Sequence, residues 1–466
     1  MERPGGGLSP QRFVLVMATV AAIGGFLFGY DVGVISGALL YLTPAFKLAP
    51  LGQEMVTASV LVGALLGALA GGAVADAWGR RAANLASGVV FVLGSLAASV
   101  APDVWLLVAG RVVVGVGVGL SSVAGPLYIS EVTPPERRGR MVSLYQLAIT
   151  AGILGAYLVD WAFSGSGNWR AMFALGAVPG VMLIGGMLML PNSPRWLLAS
   201  GRKDEAVRVL AITMGAERAA SAAGEIERDL EAVREAQRDR WLALLRPAPR
   251  RALVVAVGLA VLQQLVGINT VIYYAPSIFE SAGMQSDGAR LAATAGVGAV
   301  NMLATFIAIW LVDRVGRKPL LVAGLIGMAA SLAVLGVAFL RAGTAGAAAG
   351  ANGMGAVTLA CLMLYIVCFA FSMGPIVWLM ISEIFPLGVR GLGTSLAAGS
   401  NWAANFLVAI TFLSLLDALG APMTFGLFAA LGVVTLGFVL LAVPETKGLP
   451  LEEIQARLMG NRRGRH

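Results

Sequence analysis

The sequence predicts an all-α membrane protein in which twelve transmembrane helices form two pseudo-symmetric six-helix bundles. Of its 466 residues, 58% are hydrophobic and 12% are charged, a composition that excludes an ordinary soluble domain. Apolar runs close to the ~20 residues of a spanning helix recur along the chain. They are 12–38, 55–75, 83–101, 104–128, 141–162, 170–190, 252–279, 291–312, 319–340, 356–381, 392–416 and 423–443.

One long polar interval separates the first six runs from the last six. The predicted domains are a first bundle at 1–191, a cytoplasmic helical linker at 192–251, a second bundle at 252–445 and a cytoplasmic tail at 446–466. Charged and apolar residues within the linker have helical spacing, which predicts short amphipathic helices there. A duplicated six-helix unit places a substrate between the halves, near the middle of the membrane.

The basic residues indicate which side of the membrane the loops face. With the N-terminus inside, the inner segments hold 28 lysines and arginines and the outer segments hold four. The positive-inside rule therefore places both termini in the cytoplasm. The same asymmetry accounts for the net charge of +8, so we predict no nucleic-acid partner.

The first and fourth runs each carry a charge. Asp31 and Arg111 are the only full charges that we place well inside the spans, and both are predicted to lie roughly 10 Å below the outer surface. An intramembrane charge pair of this kind indicates a functional site. If the distance between the two groups changes during transport, the carboxylate changes its proton affinity, which favours proton coupling. The alternative is a permanent structural ion pair.

Motifs at the inner ends of the spans recur in the second half. ADAWGRR at 75–81 returns as VDRVGRK at 312–318, and a Ser-Glu pair with a later arginine also recurs. Facing charges at helix ends can stabilise one conformation through salt bridges, which favours a cytoplasmic gate over residues that only set topology. The predicted gate consists of Asp76, Gly79, Arg80, Glu131, Arg138, Asp313, Gly316, Arg317, Glu383 and Arg390.

The seventh run, 252–279, contains the carboxamides Gln263, Gln264 and Asn269. These groups would be costly in contact with lipid, so they face protein, water or a ligand. Carboxamides donate and accept hydrogen bonds, which suits a neutral polyhydroxylated ligand. On an ideal helix Gln264 and Asn269 are ~140° apart, so a shared ligand requires a break, which we place at Gly267. The alternative is that the amides only pair with neighbouring helices.

Other runs contribute weaker signals. In the tenth run Gly374 and Pro375 predict a helix break, and Trp378 beyond it can stack on a sugar ring. Further polar or aromatic residues within spans are Gln146, Asn301, Asn401, Trp402 and Asn405. The sequence shows neither a nucleophile–base pair nor a metal-ligand cluster, so we predict no enzyme activity, no metal and no cofactor.

The motifs resemble one family over nearly the whole chain, from about Phe13 to Leu458. They are ADAWGRR and VDRVGRK, SEVTPPERRGR and SEIFPLGVRG, PNSPR, QQLVGINTVIYYAP and PETKG. On these motifs the chain is similar to the sugar porters of the major facilitator superfamily. It resembles bacterial galactose/proton symporters in particular through YQLAITAGILGAYLVD at 145–160, NMLATFIAIWLVDRVGRKP at 301–319 and NWAANFLVAITFL at 401–413. The resemblance implies twelve helices, alternating access around a central hexose, and a bacterial inner membrane. One departure is Asn192 in PNSPR, where the family usually has Glu or Asp.

The resemblance also implies the site residues. It places the proton site at Asp31, with Arg111 as its partner. Facilitative members generally lack this carboxylate, so its presence favours symport over a uniporter of the same fold or a non-transporting sugar sensor. The implied partners are a monosaccharide, the proton and the lipid bilayer, with the chain working as a monomer. The implied sugar contacts are Gln146, Gln263, Gln264, Asn269, Asn301, Trp378, Asn401 and Trp402.

Overall fold

The computed structural model of the chain describes residues 9–134, 137–235, 244, 246–344, 347–385 and 389–447, which contain α-helices and no β-strand. In the first part of the chain the helices are α1 (Pro10–Phe46), α2 (Pro50–Trp78), α3 (Arg80–Ser99), α4 (Val104–Val132), α5 (Arg138–Ala162), α6 (Trp169–Leu175), α7 (Ala177–Met189), α8 (Pro194–Ala199), α9 (Lys203–Met214) and α10 (Ala216–Glu235). In the second part they are α11 (Pro247–Leu265), α12 (Ile268–Ser281), α13 (Asp287–Val315), α14 (Arg317–Thr344), α15 (Ala347–Phe371), α16 (Met373–Glu383), α17 (Arg390–Ala409) and α18 (Phe412–Ala442).

Eleven helical segments of the described residues are long and apolar enough to cross a membrane. They match eleven of the twelve predicted runs. The remaining run, 392–416, contains most of α17, which is helical but is not among these eleven segments and carries several polar side chains. Those side chains are Thr394, Ser395, Ser400, Asn401 and Asn405.

Two of the spans are interrupted by the breaks that the sequence indicates. The seventh span divides at Gly267, whose φ of 91° is left-handed, so the predicted break is confirmed. The tenth span divides at Ser372, two residues before the predicted Gly374 and Pro375. Pro375 lies in the first turn of α16, where a missing backbone N–H costs no intrahelical hydrogen bond.

The last span begins earlier than predicted. The apolar run was placed at 423–443, but α18 extends over Phe412–Ala442 and bends at Gly420, whose φ is 72°. Pro422 lies two residues later, and its ring cannot continue a straight helix without displacing the preceding turn. The bend therefore separates a short first segment of α18 from its long apolar segment.

The helices pack into two compact units. The first unit comprises Met1–Asp31, Ser59–Ile153 and Arg170–Arg238, and the second comprises Val32–Ala58, Leu154–Trp169 and Asp239–His466. Three helices, α1, α2 and α5, therefore contribute residues to both units. The units thus differ from the predicted bundles at 1–191 and 252–445, which rest on the sequence repeat and stay a prediction.

In the first unit, the predicted amphipathic segments of the linker form α9 and the longer α10, and the six-residue α8 precedes them. Helices α8, α9 and α10 pack around a small apolar cluster that includes Leu197, Val209 and Leu210. The indole Nε1 of Trp196 donates to the carbonyl of Asp76, 2.9 Å away, at the end of α2. These contacts attach the linker helices to the transmembrane helices of the same unit. The predicted linker beyond residue 235, apart from 244 and 246–251, and the tail beyond residue 447 lie outside the described residues.

Candidate functional site

The first unit contains a buried ion pair. Arg111 Nη1 lies 3.3 Å from Asp31 Oδ1, and the two residues are 0% and 3% exposed, so the predicted pairing is confirmed. The guanidinium also lies 5.7 Å from the ring centroid of Phe173. Next to the aspartate, Tyr30 donates to the carbonyl of Met172, 2.7 Å away, which ties α1 to α6.

The two oxygens of this aspartate have different surroundings. Oδ1 of Asp31 accepts from Arg111, whereas Oδ2 is buried and has no hydrogen-bond partner within the described residues. A proton can therefore add to Oδ2 without displacing the guanidinium from Oδ1. Protonation would weaken the attraction between the two side chains, because the carboxyl group loses its charge. The geometry fits a carboxylate whose salt bridge to Arg111 weakens when it binds a proton and strengthens when it releases one.

The carboxamides of the seventh span form a hydrogen-bonded network in the second unit. Gln264 is its centre, because its Oε1 accepts from Asn269 at 2.7 Å and its Nε2 donates to Asn401 at 3.2 Å. Asn401 also donates to Oε1 of Gln263, 2.8 Å away. We call Gln263, Gln264, Asn269 and Asn401 the amide network. The break at Gly267 permits it, since it turns α12 so that Asn269 reaches back to Gln264.

The amide network is anchored to backbone carbonyls on two sides. Gln263 donates to the carbonyl of Met373 at 2.7 Å, at the break in the tenth span, and Asn401 donates to the carbonyl of Ala260 at 2.8 Å. The alternative prediction, that these amides pair with neighbouring helices, is thus met in part. The amides bond to each other as well, and each such bond can be exchanged for a bond to a ligand hydroxyl.

The other predicted sugar contacts have varied environments. Asn301 on α13 and Trp402 on α17 are buried in the second unit. Trp378 on α16 is 39% exposed. Gln146 on α5 is half-buried and belongs to the first unit. The structure therefore brings four of the eight predicted contacts together by direct hydrogen bonds.

A charged network surrounds Arg80 in the first unit. Arg80 lies 2.9 Å from Asp76 and 3.0 Å from Glu131, which joins the end of α2 to α4. Glu131 also accepts from the hydroxyl of Ser193. Asn192 accepts from the backbone N–H of Arg81 at 3.1 Å, so the carboxamide caps the start of α3 although the family usually has a carboxylate there.

A related network surrounds Arg317 in the second unit. Arg317 lies 3.0 Å from Glu383, and Glu383 accepts from the hydroxyl of Thr446. Glu445 accepts from the backbone N–H groups of Arg317 and Lys318, at 3.1 and 3.0 Å, at the start of α14. Burial raises the pKa of Glu445, but the backbone donors lower it by more, so the net shift is downward.

Comparison of the two networks shows which predicted gate residues take part. The hydroxyls of Ser193 and Thr446, 253 residues apart, are members that the sequence analysis missed. Both are the third residue of a motif that follows a bundle, PNSPR for Ser193 and PETKG for Thr446. Arg138 is exposed at the start of α5. The side chains of Asp313 and Arg390 lie outside the described residues. Each network joins helices of one sequence half, so it stabilises the arrangement of helix ends within that half.

Two further buried carboxylates lie near the ends of spanning helices, so the prediction that Asp31 and Arg111 are the only charges well inside the spans is not contradicted by them. Asp160 lies in α5, where its Oδ2 accepts from the backbone N–H of Gly37 at 3.0 Å. Glu54 in α2 is 0% exposed and accepts from the backbone N–H and the hydroxyl of Ser414, both at 2.7 Å. Asp160 could have been found as an acidic residue inside the run 141–162. Glu54 was missed because the run was started one residue later.

The comparisons with known proteins agree with these features. The family model described as "Sugar (and other) transporter" matches residues 17–458. The galactose-proton symporter of Escherichia coli K12 is 41% identical over 98% of this chain and 97% of its own length. The arabinose-proton symporter of the same strain is 40% identical over 98% of this chain and 96% of its own length.

Solved structures show the same fold. The proton:xylose symporter XylE bound to 6-bromo-6-deoxy-D-glucose aligns with a TM-score of 0.80 and 32% identity, over 96% of this chain and 99% of that chain. The inward-open form of the Escherichia coli xylose transporter XylE aligns with a TM-score of 0.82. The expected all-α major facilitator fold and multi-pass membrane topology are confirmed, and the family consists of transporters. The chain belongs to the sugar transporter family of the major facilitator superfamily.

Proposed function

We propose that this protein imports a monosaccharide together with a proton, by alternating access across a bacterial inner membrane. The observation that carries the proposal is the buried pair Asp31 and Arg111, in which one carboxylate oxygen accepts from the guanidinium and the other has no hydrogen-bond partner in the described part of the chain. Such a carboxylate can take up and release a proton without leaving its site. The relatives named as galactose-proton and arabinose-proton symporters support the same activity.

The substrate we propose is a hexose of the galactose or glucose type. The amide network offers donors and acceptors but no charge, which suits a neutral polyol. A sugar that enters it exchanges amide–amide bonds for amide–hydroxyl bonds, so no buried group is left unmatched. Asn301, Trp378, Trp402 and, in the first unit, Gln146 complete the proposed contacts.

The Arg80 and Arg317 networks act as the proposed cytoplasmic gate. Each holds the ends of several helices together through ion pairs and a hydroxyl from the segment that follows a bundle. Together with Gly79, Gly316, Arg138, Asp313 and Arg390, these residues are proposed to stabilise one conformation of the transport cycle. The excess of basic residues in the predicted inner loops supports a cytoplasmic position for both termini. The proposed working unit is a monomer.

The test is uptake of radiolabelled galactose and glucose into proteoliposomes, with and without an inward proton gradient, for the wild type and Asp31→Asn. The proposal predicts uphill accumulation that requires the gradient. It also predicts that Asp31→Asn loses accumulation but still exchanges labelled for unlabelled sugar, since the amide network is unchanged. Equal equilibration under both conditions would identify a uniporter, and binding without uptake would identify a sensor.

A further inference from the structure

Helices α12 and α17 carry polar side chains at matching intervals. Asn269 and Tyr273 are four residues apart on α12, and Asn401 and Asn405 are four residues apart on α17. Each pair therefore lies on one helix face, with ~5.4 Å between successive levels. Asn269 and Asn401 form the first level, which belongs to the amide network. Tyr273 and Asn405 form a second level, where Asn405 Nδ2 donates to Tyr273 Oη at 3.3 Å.

The second level contains an unmatched hydrogen-bonding group. Asn405 is 3% exposed, and its Oδ1 has no partner among the described residues. By contrast, the side-chain oxygens of Gln263, Gln264 and Asn401 each accept a hydrogen bond. One turn further along α17, the carbonyl of Ala409 accepts from the hydroxyl of Tyr274, the residue after Tyr273, at 2.9 Å, so this polar pair is matched by a direct bond.

The choice of amide orientation does not remove the unmatched group. If the amide of Asn405 were turned over, its oxygen would face Tyr273 and its amino group would take the unmatched position. One polar group without a partner therefore remains in either orientation. A sugar hydroxyl can donate to the oxygen or accept from the amino group, so it satisfies both cases.

We propose that Asn405, positioned by Tyr273, is a specificity-determining contact that binds a second hydroxyl of the transported monosaccharide. The inference rests on the proposed function, since it assumes that the amide network holds the sugar. A sugar held at the first level presents a hydroxyl to Asn405 only if that hydroxyl lies about one helical turn away, a distance comparable with the width of a pyranose ring. The second level thus selects among sugars by the position of one hydroxyl.

The experiment is competition binding to the purified full-length protein. Radiolabelled galactose or glucose is displaced by a set of analogues that each lack one hydroxyl. For the wild type, we expect the analogue without the hydroxyl that faces Asn405 to bind about tenfold more weakly, the effect of one lost hydrogen bond. In Asn405→Ala, the parent sugar and that analogue should bind equally, while the penalties for the other missing hydroxyls remain.

Two further variants make the result decisive. Tyr273→Phe keeps the aromatic ring but removes the hydroxyl that holds the Asn405 amide. The loss of affinity for the analogue without the hydroxyl that faces Asn405 should therefore become smaller than in the wild type. Asn84→Ala is the matched control, because Asn84 is also buried with an unmatched Oδ1 but lies on α3 in the first unit, and its penalties should equal those of the wild type. An unchanged pattern of penalties in Asn405→Ala and Tyr273→Phe would overturn the inference alone. A wild type that binds no monosaccharide would overturn the proposed function as well.

Discussion

Gly267 is the residue that makes the amide network possible. Its left-handed φ of 91° ends α11 and redirects α12. As a result, Asn269 Nδ2 lies 2.7 Å from Gln264 Oε1, whereas in a continuous helix the two side chains would lie on different faces. An added Cβ would meet the ring of Phe428 at 2.8 Å. The position therefore excludes side chains for a conformational and a steric reason.

We predict that Gly267→Ala weakens sugar binding and destabilises the fold. The left-handed conformation costs an alanine ~1–2 kcal/mol, and the contact with Phe428 adds to that cost. The matched control is Gly426→Ala on α18, where nothing lies within 4 Å of an added Cβ. Thermal unfolding and sugar affinity are measured for both variants. Wild-type values for Gly267→Ala would contradict the role given to this break.

Several individual residues could be predicted from the sequence and others could not. The pairing of Asp31 with Arg111 followed from their similar depth along two helices, and the break at Gly267 followed from the angular separation of Gln264 and Asn269. The bond between Glu54 and Ser414 joins residues 360 positions apart, and no local pattern indicates it. Contacts that form only through tertiary packing cannot be predicted from helical spacing.

At the scale of elements, the starts of α3 and α14 are equivalent positions with different caps. Asn192 gives α3 a neutral acceptor, whereas Glu445 gives α14 a carboxylate with several backbone donors. The first N–H groups of a helix carry partial positive charge, so a carboxylate stabilises them more than an amide does. The second of the two caps is therefore sensitive to pH, and the first is not.

We predict that Glu445→Gln lowers stability at neutral pH, by ~0.3–1 kcal/mol at low ionic strength. The pKa of Glu445 is lowered in the folded protein, so its contribution is fully present above the ordinary pKa of the group. The contribution is lost as the pH falls through the folded-state value. The melting temperatures of the wild type and Glu445→Gln should thus converge in acid. In the matched variant Asn192→Asp, a new pH-dependent gain should appear; parallel curves for all three proteins would contradict the account.

The start of α18 is capped by a side chain from another helix. Glu54 of α2 accepts from the backbone N–H and the hydroxyl of Ser414, the third residue of α18. We predict that Glu54→Ala lowers the apparent melting temperature more than Ser414→Ala does. The first variant removes both hydrogen bonds and the charged cap of the helix start, whereas the second removes one hydroxyl bond worth ~0.5–1.5 kcal/mol. Equal shifts in a thermal unfolding assay would show that the cap contributes nothing beyond the hydroxyl.

At the scale of the whole molecule, the fold could be predicted because its signals are repeated along the chain. Apolar length indicated twelve runs, eleven of which correspond to helical segments of the described residues that are long and apolar enough to cross a membrane. Motif duplication identified the equivalent charged networks around Arg80 and Arg317. The two compact units could not be predicted, because α1, α2 and α5 divide between them through packing that the repeat does not encode.

The central claim is that sugar and proton are transported together and that Asp31 binds the proton. The most direct measurement is internal acidification of proteoliposomes that contain a pH-sensitive dye, after sugar is added outside without an imposed gradient. The account predicts acidification for the wild type and none for Asp31→Asn. Asp160→Asn is the control, because Asp160 is also a buried carboxylate with one unmatched oxygen, but among the described residues it bonds to a backbone N–H and not to an arginine. This variant should still show acidification. Sugar entry without acidification in the wild type, or equal acidification in Asp31→Asn, would contradict the claim.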